Sequence, residues 1–252
     1  MGMEILFSLG SLKVYTMSLF VVIAFFWSGL VISKKALEYH LGETEVLDGI
    51  TLILILTGIG SKVLSLLDLG KYGILCFFLA LLGAGVFCAK RLGEKLMTIL
   101  DIFSLGVPMS LVWWNLGLFW SGSFTGKVLG GPWGVMGEGI RVWPVEIIKA
   151  FLFLLALIWL WKLERTYRVL PWYRGRKSSA NTGFVLGSML VFWGTIEIIG
   201  GIMSVGSQLD FWLIRVLAII LGGVIIYHQS GRSLKVDGQA ILSRFKKNNS
   251  VN

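Results

Sequence analysis

Six ionisable residues stand inside long apolar stretches of this 252-residue chain: Lys62, Asp101, Glu146, Lys149, Glu197 and Arg215. A charge in hydrocarbon costs about 3 kcal/mol or more unless it is paired or hydrated, so each is a candidate for function. Glu146 and Lys149 are three apart, a spacing that lets them neutralise one another on one helix face. Asp101 and Arg215 lie near the ends of their stretches, where snorkelling to the interface is expected. Glu197 sits in the middle of its stretch among Gly194, Gly200 and Gly201, with no cation on its own helix. The expectation is a structural pair with Lys62, Lys149 or Arg215 from another helix; the alternative is a proton-carrying carboxyl. Other chemistry is sparse. His40 and His228 fall in or near loops, and neither an HExxH pattern nor a His-rich cluster occurs. Cys76 and Cys88 are twelve apart with no CxxC and read as buried apolar side chains. There is no Walker loop, no GxSxG and no carboxylate pair that one helix would present at glycosidase spacing. Neither a metal nor a cofactor is expected.

The elements that must position these residues are helices in lipid. Only 15% of the residues are charged, against about 25% in an ordinary soluble domain, and the mean hydropathy is +0.80. Stretches such as Val21–Phe26 and Phe151–Leu160 offer no polar face at a 3.6-residue period, which rules against a soluble bundle. Disorder, a disulfide-stapled secreted fold and a soluble nucleic-acid binder are excluded on the same grounds. The reading is an all-α, polytopic integral membrane protein with seven transmembrane helices near Val14–Ser33, Leu47–Leu67, Tyr72–Ala89, Thr98–Trp120, Trp143–Trp161, Gly183–Met203 and Phe211–Tyr227. Residues 1–230 form one transmembrane domain, opened by a short amphipathic interfacial lead over Met3–Leu12. The first apolar stretch is too long for a signal-peptide core and stays in the mature chain. Residues 231–252 form a basic cytoplasmic tail, partly disordered.

The net charge of +9 resolves into sidedness. Sixteen Lys and Arg residues fall in one set of loops, including Lys34, Lys35, Arg91, the Arg165–Lys177 cluster and the tail, whereas Lys13, Lys71, Lys127 and Arg141 are the four on the other. The positive-inside rule then places the N-terminus outside and the C-terminus in the cytoplasm. Basic flanks of this kind hold topology and attract anionic headgroups, so no nucleic-acid partner is implied. Gly130-Gly131 before Pro132 reads as an external turn.

The stretch DIFSLGVPMSLVWWNLGLFWSGSFTG, from Asp101 to Gly126, places Asp101, Pro108 and Asn115 at seven-residue steps and then Gly117, Phe119, Gly122 and Gly126. It resembles the fourth-span region of bacterial prolipoprotein diacylglyceryl transferases. The opening LFSLGSLKVYTMSLFVVIAF looks like that family's first-span entry, Gly60-Ser61-Lys62 stands where a Gly-small-Arg usually occurs, and Trp143-Pro144 resembles its His-Pro. The resemblance covers most of residues 5–200. Framework residues match while polar ones mostly do not: the motif's arginine falls on Asn115, its asparagines on Leu118 and Ser121, its glutamate on Ser123, and the sixth-span arginine on Glu197. Glu146 takes the place of the glutamine after His-Pro, and Tyr72-Gly73-Ile74 stands at the family's His-Gly-Gly. The external loop Ser121–Val142 is short for the family.

The resemblance implies a multi-pass protein of the bacterial cytoplasmic (inner) membrane that binds phospholipid, phosphatidylglycerol in the family, in an intramembrane groove. It implies transfer of a lipid-derived group to a protein thiol or other acceptor, with a lipoprotein precursor as partner. The lipid- or substrate-binding candidates are Lys62, Asn115, Ser121, Ser123, Glu146, Lys149 and Glu197; no catalytic residue is assigned. Arginine serves phosphate through a permanent charge and a bidentate fork, and a chain that has exchanged such residues for Asn, Ser and Glu weakens the electrostatic stabilisation on which that reaction depends. The alternative is therefore a catalytically inactive relative acting as a lipid-binding subunit or helper of an envelope complex, with a membrane-protein partner. A small transporter is the third reading, disfavoured because no internal repeat is evident.

Overall fold

Apolar sequence without a polar face leaves the backbone one solution in lipid, the helix, in which every N–H and C=O pairs within its own segment. The computed structural model describes residues 5–9, 12–67, 73–123, 125–129, 132–137, 140–170, 173, 181–205 and 209–230. Seven long helices account for most of them: α1 (Thr16–Glu38), α2 (Glu43–Leu66), α3 (Gly73–Leu92), α4 (Leu96–Trp120), α5 (Val145–Thr166), α6 (Phe184–Met203) and α7 (Leu209–Gln229). Six of these are long and apolar enough to cross a membrane. The exception is α5, whose uncharged middle, residues 150–161, is flanked by Glu146 and Lys149 at one end and by Lys162, Glu164 and Arg165 at the other. The basic tail 231–252, Gly130-Gly131 and the basic cluster at residues 174–177 lie outside the described residues.

The centre of the bundle is α4, buried continuously from Thr98 to Pro108. It packs along α1 and also meets α3, α5 and α6, while α2 lies along α3 and α7 along α6. The outward faces of the other helices carry Leu, Ile, Val, Phe and Trp side chains exposed to the surroundings, as a lipid-solvated protein requires.

Two small antiparallel hairpins depart from pure helix. The expected amphipathic lead is β1 (Ile5–Leu9) paired with β2 (Leu12–Tyr15), Leu9 opposite Leu12. The loop after α4 holds β3 (Val135–Gly137) and β4 (Ile140–Val142). This loop is stitched to the end of α6: the Lys127 N–H donates to Met203 O at 2.8 Å, the Val205 N–H to Thr125 O at 2.9 Å, and Lys127 Nζ to Ile202 O at 2.7 Å. We call this the loop end of the bundle.

At the opposite end, Asp101 corrects the snorkelling expectation. It is 4% exposed and its two oxygens accept the N–H groups of Gly183 at 2.6 Å and Leu186 at 2.8 Å. A helix start leaves such donors without intrahelical partners, and a carboxylate there also meets the positive end of the helix dipole. Gly183 adopts φ +109°, a turn into α6 that a side chain would strain. Beside it Tyr167, Tyr173 and Phe184 pack as an aromatic cluster. Lys35, read from sequence as a loop charge, lies within α1 and pairs with Glu38 and with Glu164 of α5, while Tyr39 donates to Glu164 at 2.7 Å.

Candidate functional site

Glycines and a proline create space between these helices. Gly106 and Pro108 lie within the continuous helix α4, beside Val107, Ser110 and Leu111, which border a cavity of about 520 Å³. Proline removes a backbone donor and a helical hydrogen bond, a cost tolerated where protein surrounds the helix. Most of the lining is apolar, from Val21 and Phe25 of α1, Ile50 and Leu54 of α2, Phe77 and Leu81 of α3, and Phe103 of α4. The charged groups gather toward the loop end, Lys149 from α5, Glu197 from α6 and Arg215 from α7, with Asn115 of α4 and Trp193 of α6 beside them; Ser28, Thr57, Ser61 and Ser110 are the other polar residues of the lining.

Glu197 bridges two cations from two other helices. Its Oε1 lies 2.7 Å from Lys149 Nζ and its Oε2 lies 4.0 Å from Arg215 Nη2. Of the three partners expected from sequence, Lys149 and Arg215 are therefore present and Lys62 is not; Lys62 is exposed and does not line the cavity. The position is also refined: Glu197 stands six residues before the end of α6, about 9 Å along the axis, in the half of the helix nearer the loop end. Arg215 does not snorkel to the interface. It turns inward, its guanidinium 5.8 Å from the centroid of the Trp193 ring.

Two glycines make this constellation possible. A Cβ on Gly200 would sit 2.7 Å from Lys149 Cδ, and one on Gly194 would sit 2.7 Å from the Arg215 carbonyl oxygen. Gly200 clears the path of the lysine stem, and Gly194 lets α7 approach closely enough for Arg215 to reach in. Gly58 of α2, by contrast, has open space around it.

The remaining candidates divide. Asn115 is 1% exposed; its Nδ2 donates to Leu111 O at 2.7 Å, and its Oδ1 has no partner among the described residues. The Trp193 indole N–H and the Thr57 hydroxyl, also in the lining, are likewise unmatched among the described residues. Glu146 does not pair with Lys149, correcting the i,i+3 expectation. It is buried at the start of α5, where Oε1 accepts from Thr125 N at 3.0 Å and Thr125 Oγ1 at 2.7 Å. Ser121 and Ser123 lie 3.3 Å apart just beyond α4, and Ser121 donates back to Leu118 O. Neither serine nor Glu146 lines the cavity. The lipid- or substrate-binding candidates read from sequence did not include Arg215 or Trp193; the signal for Arg215 was its placement six residues after the start of α7, deep enough to face α6.

His40 follows α1, and His228 lies in the last turn of α7, so both stand at the end opposite the charged cluster. The described lining thus offers cations, an amide, an indole N–H and hydroxyls against a long apolar wall, without an imidazole or thiol. In chemical terms the cations and hydrogen-bonding groups suit a polar or anionic head and the apolar wall suits hydrocarbon.

No family model matches the chain. Over 77 residues it is 29% identical to a phosphatidylglycerol–prolipoprotein diacylglyceryl transferase of Wolinella succinogenes, a match covering 29% of this chain and 28% of that protein. The match supports a distant relationship. Together with the helical architecture, it describes a membrane protein related at a distance to a lipoprotein-modifying transferase.

Proposed function

We propose that this chain is a diverged prolipoprotein diacylglyceryl transferase-like protein of the bacterial cytoplasmic membrane. In this reading it binds a phospholipid in the central cavity and transfers a lipid-derived group to a protein thiol or other acceptor. The observation that carries the binding half is the cavity's division into an apolar wall and one charged end, with Lys149, Glu197 and Arg215 meeting there. Leu54 and Trp114 line it and remain 42% and 46% exposed, a path by which a lipid enters sideways. The sixteen-to-four bias of basic residues orients the loop end, and with it the charged end of the cavity, toward the outside.

In the transfer reaction an acceptor sulfur forms a bond to the glyceryl carbon as that carbon's bond to the phosphate oxygen breaks. With phosphatidylglycerol as donor, glycerol phosphate leaves as an anion, its new oxyanion taking up the proton lost by the thiol. Lys149 and Arg215 are the groups suited to meet the phosphate. A second reading, a lipid-holding subunit without catalysis, is favoured by the engagement of Glu197 with Lys149 and by the lack of an imidazole in the described lining.

Purified protein supplied with phosphatidylglycerol and a lipobox peptide decides between them. A thioether-linked diacylglyceryl peptide, lost on Lys149→Met, supports transfer. Lipid retained through purification with no product supports the holding role, and neither lipid nor product overturns both.

A further inference from the structure

At the end of the bundle opposite the loop end, Trp161 of α5 gathers three cations: Lys34 Nζ lies 5.9 Å, Lys35 Nζ 5.8 Å and Arg165 Cζ 6.0 Å from its ring centroid. They are not equivalent. Lys35 is buried and held between Glu38 of its own helix and Glu164 of α5, whose other oxygen accepts from the Tyr39 hydroxyl. Lys34 and Arg165 are exposed, and among the described residues they rest on Trp161 without forming an ion pair. Glu38 engages Lys35 through Oε2 while its side chain stays 39% exposed, which leaves Oε1 for a further donor. Lys35, Glu38, Tyr39, Glu164 and Arg165 line a recess of about 290 Å³. A saturated inner group thus carries a rim of both signs, one carboxylate oxygen and two cations. Apolar surface continues from that rim into the bilayer. On α1, Lys34, Leu30 and Phe26 follow one another at four-residue steps; on α5, Ile158, Leu154 and Phe151 extend the face of Arg165 and Trp161. All five apolar side chains are exposed.

We propose that this recess binds a phospholipid whose headgroup carries a primary ammonium beside its phosphate, the phosphatidylethanolamine class. The ammonium donates to Glu38, the phosphate meets Lys34 and Arg165, and the acyl chains follow the two apolar stripes. A primary ammonium has hydrogens to give the carboxylate; a choline headgroup has none, and a glycerol headgroup brings no positive charge to Glu38. The recess shares no lining residue with the central cavity, so this assignment stands apart from the transferase reading. α1 and α5 both lie against α4 and are tied to each other here by Glu164. A lipid seated on the rim adds a second tie across the same pair of helices.

The experiment uses the full chain in nanodiscs of phosphatidylethanolamine, phosphatidylcholine and phosphatidylglycerol in equal parts, with one of the three in each preparation carrying a photoactivatable group in an acyl chain. Adducts are located by peptide mass spectrometry. Phosphatidylethanolamine is expected to label residues 26–34 and 151–161 several-fold more than either other lipid. Glu38→Gln, which leaves Lys35 its Glu164 partner, removes that preference. Lys34→Gln and Arg165→Gln each lower the phosphatidylethanolamine labelling of these segments by about fivefold, the effect of one basic residue near a headgroup. Equal labelling by the three lipids in the wild type, or a preference that survives Glu38→Gln, overturns the headgroup assignment. Labelling no stronger here than on the exposed faces of α2 and α7 overturns the site itself, and reduces it to ordinary lipid contact.

Discussion

Lys35 has 4% of its side chain exposed, and Glu164, its partner across the helix pair, has 7%. Removing one member of a buried ion pair leaves the other charge uncompensated, so Lys35→Met is expected to cost about 3–5 kcal/mol. Thermal unfolding in detergent reads this as a lowered midpoint, and a midpoint equal to the wild type refutes the pairing. Asp101→Ala removes the cap of α6 and is expected to cost about 1–2 kcal/mol; Asp101→Asn, which keeps one acceptor, costs less. Tyr173 lies outside the membrane-spanning helices, and its hydroxyl donates to Asn181 O at 2.9 Å. Burial, then the nearby Asp101 charge, raises its ionisation well above the ordinary tyrosine value of 10.0. A raised value in the folded state means that the folded chain keeps its proton where the unfolded chain has lost it. Stability from this group is therefore complete below about pH 10 and declines above it, and Tyr173→Phe flattens that decline in a pH series of unfolding midpoints. Hydropathy marked Glu197 as anomalous because charge in an apolar stretch is visible residue by residue. It could not tell Lys149 and Arg215 from Lys62, since choosing among partners requires the rotation of each helix about its axis.

At the scale of elements, the helices were legible because lipid demands long apolar stretches, and the expected spans overlap all seven. α1 extends past Ser33 to Glu38, since a helix continues through Lys34 and Lys35 once its lysines find acids and Trp161 to rest on. The hairpins were less legible: the register that sets Leu9 opposite Leu12 is not encoded in hydropathy. Contact between α6 and α7 depends on Gly187, where a Cβ would come within 2.7 Å of the Gly222 carbonyl. Close backbone approach of this kind replaces the hydrophobic drive that lipid does not supply. Gly187→Val is expected to push the helices apart and lower the unfolding midpoint by several degrees. Gly223, with nothing within 4 Å of an added Cβ, accepts alanine without loss, by propensity about 1 kcal/mol in its favour. Equal effects at the two positions contradict close packing as the reason.

For the whole molecule, the proposed direction of insertion rests on the sixteen-to-four distribution of basic residues along the sequence. A C-terminal fluorescent-protein fusion is expected to fluoresce in cells, a C-terminal alkaline phosphatase fusion to be inactive, and a phosphatase inserted at Trp133 to be active. The reverse pattern overturns the proposed orientation. Among the described residues seven long helices overlap the expected stretches, six of them long and apolar enough to cross a membrane; the cavity was not legible, because it arises between surfaces that no single stretch contains. One feature of the arrangement bears on biosynthesis. α7 lies chiefly against α6, and it follows α6 in the order of synthesis. When α6 enters the bilayer, Lys149 has already been inserted and can receive Glu197, so the carboxylate need not wait for Arg215. A chain halted before residue 209 would already hold the Lys149–Glu197 pair, and the arrival of α7 adds Arg215 to a cavity whose other lining residues the earlier helices have supplied.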